Sequence, residues 1–120
     1  AAMNNLQLAE DLCAGSTSLR EARRRHLLSH HGTLLPHVFM GEVLAYVGAG
    51  VAGTSGEVGE RPNAEISGIL ATLERGMASG DRETRNVIAM SFVWDAELEP
   101  YFGRLRPLLG PRVRAQLQGR

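Results

Sequence analysis

Asn86-Val87-Ile88-Ala89-Met90-Ser91-Phe92-Val93-Trp94-Asp95-Ala96-Glu97-Leu98-Glu99-Pro100 decides the fold class. Its apolar residues, Val87, Ile88, Phe92, Trp94 and Leu98, recur at helical spacing and not in strict alternation. The run is a core helix that ends in three carboxylates and a proline. Ile88, Phe92 and Leu98 are expected in the core. Upstream, Asp81 is placed to cap this helix, and Gly80 to end the one before it. That earlier helix carries a stripe of Ile66, Ile69, Leu70, Leu73 and Met77, opened by Pro62 or Asn63.

The same period continues outward. Leu35, Val38, Phe39, Val43, Tyr46 and Val47 follow Thr33 and Pro36, and Pro is tolerated in a first helical turn. This helix is apolar over more than half its circumference, so it is expected at the centre. Leu19, Ala22, His26 or Leu27, and His30 form the face of a helix that Gly32 stops; Ser16-Thr17-Ser18 supplies its N-cap oxygens, and Ser18 with Glu21 has capping-box spacing. Leu6, Leu8, Ala9 and Leu12 make a short first helix ended by Gly15. Downstream, Pro100 to Leu109 reads as a turn-helix unit, and Gly110-Pro111 starts a last one with Val113 and Leu117 inward.

Between the third and fourth helices, Gly48 to about Pro62 lacks periodicity and is rich in Gly, Ala, Ser and Thr, which predicts a flexible loop. No segment alternates with period two. The prediction is an all-α fold, a compact bundle of five to seven short helices, in one domain over residues 1–120.

Composition narrows the function classes. Formal net charge is zero over 120 residues. A general nucleic-acid binder needs a basic excess to neutralise phosphates, and an anionic membrane attracts one too, so neither partner is expected. All 13 basic residues are Arg, which excludes lysine chemistry and fits a GC-rich bacterial source. The lone Cys13 forms no internal disulfide, and it lies in an apolar helical stretch where a buried thiol is expected. No signal peptide pattern and no apolar span of membrane length is visible, so a cytoplasmic home is expected.

Three patterns could carry chemistry. His26 and His30 are four apart, a spacing that puts two metal ligands on one helix face, but neither HExxH nor paired Cys accompanies them. His30 and His31 also flank a helix C-terminus, where the dipole favours a cation. Gly48, Gly50 and Gly53 form GxGxxG, yet a helix precedes them where the dinucleotide fingerprint needs a strand. The third pattern is the end of the opening stretch. On a continuous helix Asp95 and Glu99 share a face, and Trp94 and Tyr101 lie beside them. Aromatic anchors with charged neighbours are the composition of interface hot spots, and an acidic edge suits a basic partner. Trp94, Asp95, Glu97, Glu99 and Tyr101 are therefore the expected partner-binding residues.

Several blocks also carry a resemblance: Leu34-Leu-Pro-His-Val-Phe-Met, Ile69-Leu-Ala-Thr-Leu-Glu, Gly80-Asp-Arg-Glu-Thr-Arg-Asn-Val-Ile-Ala-Met-Ser-Phe-Val, and Leu109-Gly-Pro-Arg-Val-Arg. The chain from Leu34 onward resembles a family of small all-helical bacterial proteins, some encoded beside polymorphic or contact-dependent toxins as immunity proteins. The family pattern has Glu-Asn after Ser-Phe-Val, where this chain has Trp94-Asp95. The resemblance brings no catalytic residues and no cofactor. It implies a non-enzymatic protein that neutralises a cognate toxin domain by occluding its active or substrate-binding site. Two other readings remain: a metal-dependent hydrolase using His26, His30 and a carboxylate, and a helical adaptor or regulatory domain, for which Arg112, Arg114 and Arg120 are too few and too terminal to make a basic recognition helix.

Overall fold

Helices account for most of the backbone described in this computed structural model, which covers residues 2–53 and 60–119 and, of 60–63, the backbone alone. They are α1 (Asn5–Ala14), α2 (Thr17–Ser29), α3 (Pro36–Ala52), α4 (Glu60–Ser79), α5 (Arg82–Ile88), α6 (Phe102–Leu105) and α7 (Pro111–Arg114). The all-α expectation holds. Among the described residues, extended pairing is confined to one bridge, where Met3 N–H donates to Ser79 O at 2.9 Å and Asp81 N–H to Met3 O at 2.8 Å. The Cα radius of gyration, 13.6 Å, is that of a packed globule of this length.

Local chemistry sets most boundaries. Asn4 caps α1 by accepting from Gln7 N–H at 2.8 Å, and Asp81 caps α5 by accepting from Thr84 N–H at 2.8 Å. The cap of α2 is Ser16, the first of the three residues expected to supply it, which accepts from Leu19 N–H at 3.1 Å; the Ser18–Glu21 capping box does not form. Starting there turns Leu19 into the core, and Glu21 pairs with Arg24 on the surface instead. At the other end of α2, His31 (φ 55°) and Gly32 (φ 81°) take left-handed backbone, and Gly32 N–H closes on Leu27 O at 2.7 Å.

The loop expected over 48–62 is corrected at both ends. Gly48 to Ala52 continue α3, and α4 begins at Glu60, ahead of the expected Pro62 or Asn63; Thr54 to Gly59 lie outside the described residues. The glycines serve close packing. A Cβ on Gly48 would collide with the Tyr101 ring, and one on Gly50 would collide with Ile66 Cδ1. Glycine costs a helix about 1 kcal/mol relative to alanine; here it admits an aromatic ring and an isoleucine against the backbone.

One core joins the elements: Leu8 and Leu12 of α1, Leu19 of α2, Phe39, Val43 and Val47 of α3, Ile69 and Leu73 of α4, and Ile88 of α5. α3 packs on α2, α4, α5 and α6, yet its outward face stays uncovered at Val38, Gly41, Ala45 and Ala49. It is central in contacts but not enclosed, and Val38, expected inside, is 49% exposed. Leu6, also expected inside, points away from the Leu8–Leu12 face and is exposed.

α5 runs straight into a π-helical turn, Ala89–Trp94. The wider turn inserts a residue and rotates the helix beyond it. Thr84, Val87 and Ile88 before it, and Phe92, Val93 and Ala96 at and after it, all face the core. Helical backbone stops at Ala96. Leu98 N–H then bonds Asp95 O at 3.2 Å and Glu99 N–H bonds Ala96 O at 3.0 Å, tightening the chain into a turn. Pro100 disfavours helical backbone at Glu99, which accounts for the stop. No helix among the described residues is long and apolar enough to cross a membrane.

Candidate binding edge

The turn after Ala96 rearranges the five expected site residues. Trp94 is half-buried against the core, and its indole N–H donates to Gln116 O at 2.9 Å. Glu97 is half-buried, and its Oε1 accepts from Gln118 N–H at 2.7 Å. Both side chains hold the C-terminal segment in place. Tyr101 lies over Gly48 on α3, where burial, and then the charge of Glu99, push its phenol above the ordinary value of 10.0.

Asp95 and Glu99 are exposed. They do not share the face of a continuing helix, because the helix ends between them. Leu98, expected in the core, is 66% exposed within the same turn. Among the described residues no cation lies within ion-pair distance of Asp95 or Glu99. The edge that remains is therefore Asp95, Leu98 and Glu99, an apolar side chain between two unpaired carboxylates, on a turn anchored from behind by Trp94 and Tyr101. It is a projecting surface, suited to another protein more than to a small molecule. Leu98 is the residue that sequence reasoning misplaced; the proline two positions on is the signal that could have found it.

Three of the four histidines have structural partners. His26 is buried; its Nε2 accepts from Leu35 N–H at 3.0 Å and its Nδ1 lies 3.2 Å from Glu42 Oε2. The acceptor role fixes the tautomer with the proton on Nδ1 and ties the α2–α3 connection to α2. The His30 ring packs against His26 at a tilt of 52°, with centroids 4.5 Å apart, and Phe39 packs edge-on to His26 at 5.8 Å. A metal at His26 would have to displace the Leu35 amide. No cluster of three or more His, Cys, Asp or Glu side chains suited to a metal occurs among the described residues. His37 Nδ1 lies 2.5 Å from Ser91 Oγ and links the start of α3 to the π turn.

The remaining patterns are also structural. GxGxxG occupies the C-terminal end of α3, with Gly53 as its cap, so it opens no helix toward a phosphate. Arg112 and Arg114 lie in α7, a four-residue helix too short to read a DNA groove, and Arg120 lies outside the described residues. Cys13 is buried, its thiol pushed above the ordinary 9.0 by that burial, and its Sγ–H points to Leu19 O at 3.4 Å.

Compared with protein families, curated proteins and solved structures, the chain gives no match.

Proposed function

We propose that this chain is an immunity protein, which binds a cognate bacterial toxin domain and blocks its active or substrate-binding site. The observation that carries the reading is the exposed Leu98 between unpaired Asp95 and Glu99. Leaving a large apolar side chain in water forgoes about 2 kcal/mol of burial, and a partner that covers it recovers that energy. Two uncompensated carboxylates beside it favour a basic partner surface and speed its approach. Trp94 and Tyr101 act from beneath, fixing the turn so that little ordering is lost on binding. The resemblance to toxin-linked helical proteins names the class of partner.

The histidine hydrolase reading has no comparable support, since His26 spends its Nε2 on the Leu35 amide. The test is co-expression with the toxic C-terminal domain of a secreted protein encoded beside this gene. Surviving cells and a co-purifying complex are expected. Cells that die, with no complex formed, end the reading.

A further inference from the structure

His26 is buried in the last turn of α2, and its two ring nitrogens meet groups of opposite sense. Nε2 accepts from the Leu35 amide at 3.0 Å, across the connection between α2 and α3. Leu35 is the N-cap residue of α3 and offers that helix no side-chain cap, so the bond to His26 fixes how the chain enters it. On the other side, Nδ1 lies 3.2 Å from Glu42 Oε2. That oxygen is shut off from solvent and takes no hydrogen bond among the described residues, although the Glu42 side chain as a whole is 40% exposed. A closed-off carboxylate oxygen without a donor is costly, and a positive charge on the ring beside it offsets that cost.

The two contacts favour different charge states. A neutral imidazole keeps a lone pair on Nε2 for the Leu35 amide. An imidazolium carries protons on both nitrogens and accepts nothing. Its Nε2–H would stand donor to donor against Leu35 N–H, while its charge would face Glu42. The other charged or titratable groups nearby oppose the cation. His30 of α2 packs on the ring at 4.5 Å, and Arg25 of α2 lines the groove beside Glu42 but lies 3.7 Å from Glu21. On α3, Phe39 brings no charge, which leaves Glu42 as the counter-ion.

We propose that His26 is a proton-operated latch on the α2–α3 connection. With the ring neutral, the latch is closed and the Leu35 amide is held. When Nε2 takes a proton, Glu42 holds the cation and the amide is released. Gly32 N–H to Leu27 O and Thr33 N–H to His30 O keep the turn itself, so the freed stretch is residues 34–36, the entry to α3. The device is a two-state element biased by protons. It belongs to this chain's own fold and stands whether or not the partner is a toxin.

The test is NMR of the full chain from about pH 8 to about pH 5, across the ordinary histidine range. Ring nitrogen shifts of His26 report which nitrogens carry protons, and hydrogen exchange, corrected for intrinsic rate, reports protection of the Leu35 amide. At the alkaline end, a bare Nε2 and a protected Leu35 amide are expected. As Nε2 gains its proton, Leu35 protection should fall about fivefold or more with the same midpoint, while Leu73 in the core stays protected. Glu42→Gln removes the counter-ion at a partly exposed position and should lower both midpoints together, by about half a pH unit or more. His26→Gln keeps an acceptor oxygen and should leave Leu35 protection independent of pH; if that variant fails to fold, Glu42→Gln carries the test. A Leu35 amide that stays protected while the ring is doubly protonated overturns the proposal. So does a ring that stays neutral until the whole chain unfolds, or a midpoint that Glu42→Gln leaves unmoved.

Discussion

The indole N–H of Trp94 donates to the main-chain carbonyl of Gln116 at 2.9 Å, across a separation of 22 residues. Glu97 likewise takes the amide of Gln118, close by in the same C-terminal segment. The helix end whose pattern offers these side chains to a partner uses them to hold the last segment of its own chain. Trp94→Phe keeps the apolar packing and removes one neutral hydrogen bond. A loss of about 1 kcal/mol in urea denaturation is expected, with faster amide exchange at residues 113–118 and unchanged exchange in α1. Unchanged exchange across 113–118 would contradict the latch.

Gly48 and Tyr101 form a second long-range pair. Gly48→Ala puts a methyl into the phenol ring and should cost about 1–3 kcal/mol. Gly41→Ala on the same helix meets nothing within 4 Å and should be neutral or stabilising by up to about 1 kcal/mol. Thermal melts of the two variants check the contrast. With Tyr101→Ala in the background, the cost of Gly48→Ala should fall, since the clash is gone.

Glu74 caps α7 from another helix. Its Oε2 accepts from Arg112 N–H at 2.8 Å and its Oε1 from Val113 N–H at 3.0 Å, with Gly110 packed against the carboxylate. α7 has no side-chain cap of its own. Glu74→Ala should cost about 1–2 kcal/mol and Glu74→Gln less, because the amide oxygen still accepts one bond. Denaturation midpoints of the pair measure this.

Alkaline pH probes both tyrosines. Tyr46 donates to the Glu65 carboxylate, which raises its phenol above the ordinary 10.0 against the opposing effect of Ser18 and Ser16; Tyr101 is raised by burial first and Glu99 second. In the unfolded chain both return to about 10. Their contribution to stability is therefore complete below about pH 10 and is lost as pH rises through the folded-state values. Absorbance at 295 nm should show neither phenolate forming at about pH 10 while the chain stays folded, and the urea midpoint should fall above that pH. Two ordinary titrations in the folded protein would contradict both assignments.

Range separates the features that are legible in the sequence from those that are not. The stripe Ile66, Ile69, Leu70, Leu73 and the cap at Asp81 depend on neighbours three or four residues away, and both are where the pattern places them. Gly48–Ala52 failed as a loop because composition carries no record of Tyr101, which approaches from half the chain away. Trp94 and Glu97 look like surface groups until residues 116 and 118 return to meet them. Leu98 sits at helical spacing, but the period says nothing about a helix that stops at Ala96. Asp95 and Glu99 are exposed, as charged side chains at a helix end favour, but the shared helical face expected of them is lost because the helix stops at Ala96.

The central claim is that Asp95, Leu98 and Glu99 engage a basic partner. Its most direct measurement is calorimetric titration of the cognate toxin domain with the wild-type chain, with Leu98→Ala, and with a charge-reversed variant carrying Asp95→Arg and Glu99→Arg. All three positions are exposed, so each variant should keep the wild-type melting temperature within a few degrees. The account predicts that Leu98→Ala weakens binding by at least about tenfold and that charge reversal weakens it by about a hundredfold or more, with a shallower salt dependence in the charge-reversed chain. Undiminished binding by the charge-reversed chain would contradict it.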